Sequence, residues 1–340
     1  MNNNVESIYG FDLLKFIMAI MIVAIHSANA FINCSWGYIV YPFIAIGVPC
    51  FFVLSSFFLF KKLRICGISE YWGRIGCFIK RICTFYLFWF VINLPFIVNE
   101  HRGDWLGVGL LDGILNFGRD LFFYSTFTGS WFLAALVLSV LFVALLNFFR
   151  INEVIIACIG IGVFVYFGMN SFLPESWHGV YLWTDRHLQD VYFTFITGIP
   201  YVIIGFLLSN PMFERRLNRW KNAKTIFSLI LIFMTIWLII IVKQELAMPL
   251  RIPFVVSTLL LFYVIPFSPK NIYRTLRNYS ILMYMVHFDV IKVLAFFHVL
   301  PIGESFVTWF FVTLFQTLLV VSLILQLQNY KYFHWLKYAS

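Results

Sequence analysis

Charged residues are scarce in this chain: 11% of its 340 residues are Asp, Glu, Lys or Arg, whereas 62% are hydrophobic. Soluble globular domains carry about 25% charged residues, so a soluble globular protein is excluded. The same deficit excludes an intrinsically disordered chain. Six cysteines are scattered without a C-x-x-C pair. The sequence therefore gives no support for a zinc or other metal site, a thioredoxin-like redox centre or a disulfide framework.

Long basic arms and basic patches interleaved with aromatic residues are also missing, although the net charge is +9. The positive residues instead occupy short stretches between apolar runs, which is the pattern that the positive-inside rule produces in membrane proteins. We therefore expect membrane lipids, and not nucleic acid, around this chain.

Apolar segments of about 20 residues, the length that crosses a bilayer as a helix, recur along the whole chain. Ten candidate spans are found at 12–32, 38–60, 82–99, 130–149, 154–173, 191–209, 224–242, 250–267, 279–300 and 304–326. The sequence thus predicts an all-α fold, a polytopic integral membrane bundle of about ten transmembrane helices. We expect residues 1–340 to form a single membrane domain with no soluble domain attached.

The Lys and Arg residues of the connections predict the orientation. Seventeen fall after the second, fourth, sixth and eighth spans and in the tail, whereas five fall on the other side. Since cationic loops stay in the cytoplasm, both termini are predicted to be cytoplasmic. An even number of spans agrees with this orientation.

Ionisable side chains inside apolar spans are functional candidates. His26 lies in the first span, and Asp12 and Lys15 lie at its cytoplasmic end. At about 100° per residue the three share one helix face, but His26 is roughly 21 Å from Asp12, so they form no His–Asp dyad. One interpretation is a polar path leading to a buried, functional His26. The other is structural: His26 bonds a neighbouring helix, and Asp12 with Lys15 forms an interfacial ion pair.

Four further features are ambiguous when they are taken alone. Tyr284 and His287 are neighbours on the ninth span, where His287 either hydrogen-bonds a neighbouring helix or belongs to a functional site. The segment 71–89 is cationic and then aromatic, which suits either snorkelling anchors or a phosphate-bearing cofactor. Ser55 belongs to a set of small residues that permits close helix approach, and Trp131 is typical of an interfacial anchor.

Five motifs follow one another in a fixed order. Asp12 and Lys15 precede His26, which comes eleven residues after Lys15. The second span reads V-P-C-F-F-V-L-S-S-F-F-L over 48–59, and R-I followed by Tyr and Trp occupies 81–89. W-F-L then opens the fourth span at Trp131, and S-x-x-x-Y-x-x-H covers 280–287.

This ordered set resembles the membrane acyltransferase family 3 over nearly the whole chain. The sequence departs from the family pattern in a few places. Lys15 replaces the family's Arg, Ser56 replaces its Gly, and Phe78 stands where the first Arg of an R-x-x-R pair is expected. These departures affect the phosphate contacts more than the reaction class.

The resemblance implies a multi-pass O-acyltransferase of the bacterial inner (cytoplasmic) membrane. It implies transfer of an acetyl group, with acetyl-CoA as co-substrate, to a hydroxyl of a cell-envelope or exported polysaccharide or glycolipid. His26 is then the general base, with Tyr284 or His287 as oxyanion donor and Ser55 and Trp131 as structural, site-lining residues. The residues implied to hold the CoA moiety are Asp12, Lys15, Arg74, Lys80 and Arg81.

Two rival functions remain open, and so does a homo-oligomeric state. A transporter or flippase for lipid-linked glycans is also basic, aromatic and polytopic, but it favours broken helices in paired halves, which the sequence does not show. A polyprenyl-phosphate-dependent glycosyltransferase favours acidic residues in the first outer loop. Residues 29–38 contain none.

Overall fold

The computed structural model describes residues 8–27, 37–220, 222–240, 244–299 and 306–339. These residues are predominantly helical and include no strand, as expected where backbone groups must bond within their own segment. The all-α prediction is confirmed for the described residues. Their α-helices, in chain order, are α1 (Tyr9–His26), α2 (Gly37–Ile44), α3 (Gly47–Leu63), α4 (Ile68–Glu100), α5 (Leu110–Phe123), α6 (Trp131–Phe148), α7 (Glu153–Val163), α8 (Gly179–Leu188), α9 (Phe195–Leu208), α10 (Pro211–Arg219), α11 (Ala223–Ile240), α12 (Gln244–Val264), α13 (Asn271–Phe296) and α14 (Phe306–Leu327).

Five of the described helices are long and apolar enough to cross a membrane: α1, α4, α6, α13 and α14. A sixth candidate joins α9 to α10 but is bent by 70°. Shorter apolar stretches lie in α7, α11 and α12. Each of the ten segments predicted from the sequence overlaps a described helix, and the five helices of spanning length and composition are those of a multi-pass membrane protein. The count of ten and the cytoplasmic termini stay predictions.

Helix boundaries differ from the predicted spans most clearly in the second and third spans. The second span is split into α2 and α3 at residues 45–46, because Pro49 has no N–H for the helical bond to residue 45 and proline is tolerated best in the first turn of a helix. Helix α4 begins at Ile68 and continues through Pro95, so the basic segment predicted as a connection is helical. The outer end of the first predicted span, residues 28–32, lies outside the described residues.

The described helices belong to two compact units. One unit comprises the residues up to Phe51 together with those from Glu214 onwards, and the other comprises Phe52–Phe213. In the first unit α1 packs against α13, and α12 and α14 also contact α1.

Helices α1 and α13 run parallel to each other. Their ring contacts ascend together along both helices, from Tyr9 with Tyr273 at the start to His26 with His287 at the end of α1. This parallel packing places the polar residues of α1 against α13.

The second unit is tied together by Arg64, which follows α3. Its guanidinium donates to the Glu153 carboxylate at 2.8 Å, to the Ser209 hydroxyl at 2.9 Å and to the Phe206 carbonyl at 3.1 Å. It also lies over the Phe206 ring, 4.5 Å from the centroid. Three hydrogen bonds and one ring contact of a half-buried Arg therefore join the end of α3 to α7 and α9.

Ser56, which stands where the resemblance expects Gly, is accommodated by a glycine on α9. Ser56 is fully buried and donates to the Phe52 carbonyl at 2.8 Å. Across from it, a Cβ on Gly205 would collide with the Ser56 hydroxyl and the Val53 carbonyl. The close approach of α3 and α9 therefore depends on Gly205.

Candidate active site

The His26 imidazole, on the last residue of α1, packs against two aromatic rings of α13. Its centroid lies 5.3 Å from that of His287 and 4.6 Å from that of Phe288. His26 is exposed, whereas His287 is 0% exposed. The sequence predicts a buried imidazole in the first span. In the structure the completely buried imidazole is that of His287, and a reachable His26 lies beside it.

The hydrogen bond of His287 fixes its tautomer. Its Nδ1 lies 2.8 Å from the Met283 carbonyl oxygen; because a carbonyl only accepts, Nδ1 carries the hydrogen and Nε2 carries the lone pair. Nε2 is buried and has no hydrogen-bond partner in the described part of the chain, although buried polar atoms are normally paired. An unsatisfied acceptor therefore lies next to the exposed His26 ring.

Tyr284 lies one turn before His287 on α13 and is buried. The two ring centroids are 6.4 Å apart, and the Phe51 ring is also 6.4 Å from Tyr284. The predicted proximity of Tyr284 and His287 is therefore confirmed, and the fold adds His26 to the pair.

Asp12 lies at the other end of α1 and is 4% exposed. One carboxylate oxygen is 3.8 Å from Lys15 Nζ, and the other is 3.9 Å from Arg277 Nη1. The predicted ion pair is thus part of a cluster with two cations. From the sequence, Arg277 contributes only to the charge of a predicted connection, because nothing local in α1 indicates a cation from α13. Since Asp12 and His26 both meet α13, the helix face predicted from their spacing is confirmed.

Three predicted phosphate ligands, Arg74, Lys80 and Arg81, lie on α4 in the second unit. Arg74 is paired with Glu70, with 2.8 Å between Nη2 and Oε2. Lys80 and Arg81 are exposed, and the Arg81 guanidinium lies 6.0 Å from the Phe78 ring centroid. The structure therefore groups Lys15 with Asp12 and Arg277, and places the other three cations on a separate helix.

The two predicted lining residues also belong to the second unit. Ser55 is half-buried on α3. Trp131 begins α6, where its ring lies 5.3 Å from that of Phe193 and 6.3 Å from that of Phe52. In this unit Trp131 packs among aromatic rings at the start of a span, as an anchor does.

A further polar cluster surrounds Asp120 on α5, which is 1% exposed. Its carboxylate accepts from Trp105 Nε1 and from Arg119 Nε, both at 2.9 Å. His101 stacks on Trp105 with centroids 4.1 Å apart. Residues 100–129 fall between the third and fourth predicted spans, and their spacing does not indicate that these side chains meet. Because the carboxylate is satisfied on both oxygens, the cluster stabilises the connection and offers no open site.

Within the described residues, no group of three or more His, Cys, Asp or Glu side chains is arranged to hold a metal ion. The side chains of the first unit that are suited to bind a ligand are the imidazoles of His26 and His287 and the cations of Lys15 and Arg277.

Comparison with known proteins places these features in a family. The family described as an acyltransferase domain, acyltransferase family 3, matches residues 8–327. Two Enterococcus faecalis proteins named amino-acid racemase are similar to this chain. One is 26% identical over 239 residues, covering 66% of this chain and 31% of the relative. The other is 22% identical over 340 residues, covering 94% of this chain and 46% of the relative.

The chain therefore spans less than half the length of each of these curated relatives. No solved structure matches it significantly. The family match extends over nearly the whole sequence, from the first turn of α1 to the end of α14. This multi-pass helical membrane protein belongs to acyltransferase family 3.

Proposed function

We propose that this protein is a membrane O-acyltransferase that transfers an acetyl group from acetyl-CoA to a hydroxyl of a cell-envelope or exported polysaccharide or glycolipid, in the bacterial cytoplasmic membrane. The family supports acyl transfer as the reaction class. The observation that carries the proposal is the exposed His26 imidazole against a buried His287 with an unsatisfied Nε2. Amino-acid racemisation does not enter the proposal, because the chain spans less than half of the relatives with that name.

His26 acts as general base in this proposal. An acetyl thioester supplies an activated carbonyl, to which the acceptor oxygen bonds as the C–S bond breaks. His26 takes the proton of the acceptor hydroxyl and then transfers it to the departing sulfur, which leaves as the CoA thiol. A positioned base of this kind contributes roughly 100- to 10,000-fold to the rate. Its exposure is consistent with this role, because the base has to reach the acceptor hydroxyl.

His287 and Tyr284 assist His26 from α13. When His26 carries the extra proton, its N–H groups need acceptors, and His287 Nε2 is an acceptor whose ring lies against it. A hydrogen bond from a charged donor is stronger than a neutral one, so His287 favours the protonated base. The Tyr284 phenol is assigned as the hydrogen-bond donor to the oxyanion that develops on the thioester carbonyl.

The candidate ligands of the donor's phosphates are cationic side chains of α1 and of α4. Lys15 is held by Asp12 on α1, and Lys80 and Arg81 are exposed on α4. Arg74 also belongs to this set, although Glu70 is already bound to it. Lys and Arg are the side chains that pair with phosphate oxygens, Arg in bidentate fashion.

The test uses the full chain in lipid nanodiscs. Release of free CoA thiol from acetyl-CoA is measured with and without glycan acceptors, and mass spectrometry follows surface-glycan acetylation in cells with and without the protein. We expect acetyl transfer that His26→Gln abolishes and that the matched control His334→Gln, in the exposed C-terminal tail, leaves unchanged. Glycan translocation without any acetylation overturns the proposal in favour of a flippase.

A further inference from the structure

Four aromatic side chains gather where α1 and α13 begin and α12 ends. The ring centroids of Tyr9 and Tyr273 are 5.5 Å apart, and those of Tyr273 and Phe267 are 5.9 Å apart. Phe267 in turn stacks on Phe262 at 6.1 Å, with 9° between the planes. All four side chains are half-buried. Each therefore keeps accessible surface at this end of the first unit.

Gly10 makes this arrangement possible. A Cβ at this position would collide with the Phe262 carbonyl and would lie 2.9 Å from the Phe267 ring. Glycine inside a helix is destabilising relative to alanine, because it loses more conformational freedom on folding. Here it allows the first turn of α1 to approach the end of α12, which leaves Tyr9 beside Tyr273.

The cluster of Asp12, Lys15 and Arg277 lies about one to two turns further along the same two helices, α1 and α13. Asp12 and Lys15 follow Tyr9 by three and six residues, which is about 4.5 and 9 Å along the axis. Arg277 follows Tyr273 by four residues, about 6 Å. One buried carboxylate faces two cations, so the cluster keeps a net positive charge.

Arg277 is the accessible member of this cluster. Its side chain is 38% exposed, against 17% for Lys15 and 6% for Asp12. At 3.9 Å its Nη1 is within ion-pair range of Asp12 but beyond hydrogen-bond distance. Asp12 therefore places the guanidinium without taking up its N–H donors.

We propose that this end of α1, α12 and α13 binds the adenine nucleotide part of the acyl-CoA donor, with Tyr9 and Tyr273 against the base and Arg277 with Lys15 on the phosphates. The inference rests on the proposed function, since acyl-CoA is the nucleotide-bearing substrate there. Nucleobases stack on aromatic side chains, and guanidinium groups pair with phosphate. Lys15 lies about 16 Å along α1 from His26, so the same helix leads from the phosphates to the base.

The competing interpretation is purely structural. Aromatic side chains and snorkelling cations also anchor helices at a membrane interface, and Arg277 with Asp12 would then only join α13 to α1. Anchoring predicts effects on stability in every variant and no selective effect on nucleotides. Nucleotide binding predicts the reverse.

The test measures the affinity of the full chain in nanodiscs for acetyl-CoA, for adenosine 3′,5′-bisphosphate and for S-acetylpantetheine, which lacks the nucleotide. We expect Arg277→Gln and Tyr273→Ala each to lower the affinity for acetyl-CoA and for adenosine 3′,5′-bisphosphate by about tenfold or more. Tyr273→Phe keeps the stacking surface, so its affinity for these ligands should stay within about twofold of wild type. Affinity for S-acetylpantetheine should be the same in all variants.

Two controls make the result decisive. Arg216→Gln removes an exposed cation of α10 and should change no affinity, and Arg277→Lys keeps the charge facing Asp12 if Arg277→Gln fails to fold. Unchanged nucleotide affinity in folded Arg277 and Tyr273 variants of an active enzyme overturns this inference and leaves the proposed function standing. A wild-type protein that neither binds nor uses acyl-CoA overturns both.

Discussion

The imidazole of His26 lies against that of His287, with ring centroids 5.3 Å apart and 37° between the planes. One ring is exposed and the other is completely buried. Because His287 donates from Nδ1 to the Met283 carbonyl, its Nε2 remains an acceptor without a partner among the described residues. The pair therefore places an exposed imidazole beside a fixed imidazole with an unsatisfied acceptor, and the proposed general-base role of His26 rests on this arrangement.

His26→Gln is expected to lower acetyl transfer by roughly 100- to 10,000-fold, because glutamine keeps the approximate size and polarity of histidine but takes up no proton. Transfer is measured as release of CoA thiol, with acetyl-CoA affinity and melting temperature as controls. His26→Ala should behave in the same way. A well-folded His26→Gln enzyme with an acetyl-transfer rate within a few-fold of wild type would contradict the assignment. A purely structural histidine predicts that result.

His287→Phe is expected to reduce kcat by about ten- to 100-fold, because it keeps a planar aromatic ring but removes the acceptor for protonated His26. His287→Gln carries an oxygen at the position of Nε2 and should recover part of this loss. The measurement is kcat and KM for acetyl-CoA in both variants. A purely structural His287 predicts that kcat follows the amount of folded protein and that Gln gives no recovery.

Arg81→Ala should weaken acetyl-CoA binding by about tenfold or more if the α4 cations hold its phosphates, since hydrogen bonds to charged groups are each worth about 1.5–3 kcal/mol. Binding is measured on purified protein that inserts normally. Arg150→Ala, which removes another exposed cation, is the matched control. Unchanged affinity in the Arg81 variant leaves that residue as a topological anchor only.

Gly205→Ala is expected to destabilise the protein by roughly 1–3 kcal/mol, because the added methyl group overlaps the Ser56 hydroxyl and the Val53 carbonyl in a packed contact. The melting temperature in detergent reports the loss. Gly162→Ala, at a position where the added methyl group meets nothing within 4 Å, is the control. An equal effect of both substitutions would show that the α3–α9 contact is not close-packed.

Reporter fusions and cysteine labelling should place residues 61–81, 214–224 and the C-terminus in the cytoplasm, since these segments carry most of the loop cations. Cys77 is exposed on α4 and serves as a native labelling site in a background without the other cysteines. Labelling of Cys77 from outside the cell, or an external C-terminus, contradicts the predicted orientation.

The helical membrane class, the approximate positions of the spans and the shared face of Asp12 and His26 follow from the sequence. These properties depend on local hydropathy and on the helical period, which neighbouring residues alone establish. The break before Gly47 and the early start of α4 do not follow from the sequence, because helix ends depend on competition between adjacent turns and on tertiary packing.

Tertiary structure decided which side chains meet. Nothing near His26 in the sequence indicates His287, and nothing near Asp12 indicates Arg277, because both partners come from α13 at the far end of the chain. Gly205 likewise makes room for Ser56 only because α9 packs against α3. Such contacts depend on which helices pack together and in which register, and that choice is made by side-chain packing over the whole unit. The sequence determined the chemistry that each helix carries, and the packing of parallel α1 and α13 decided which of those groups meet.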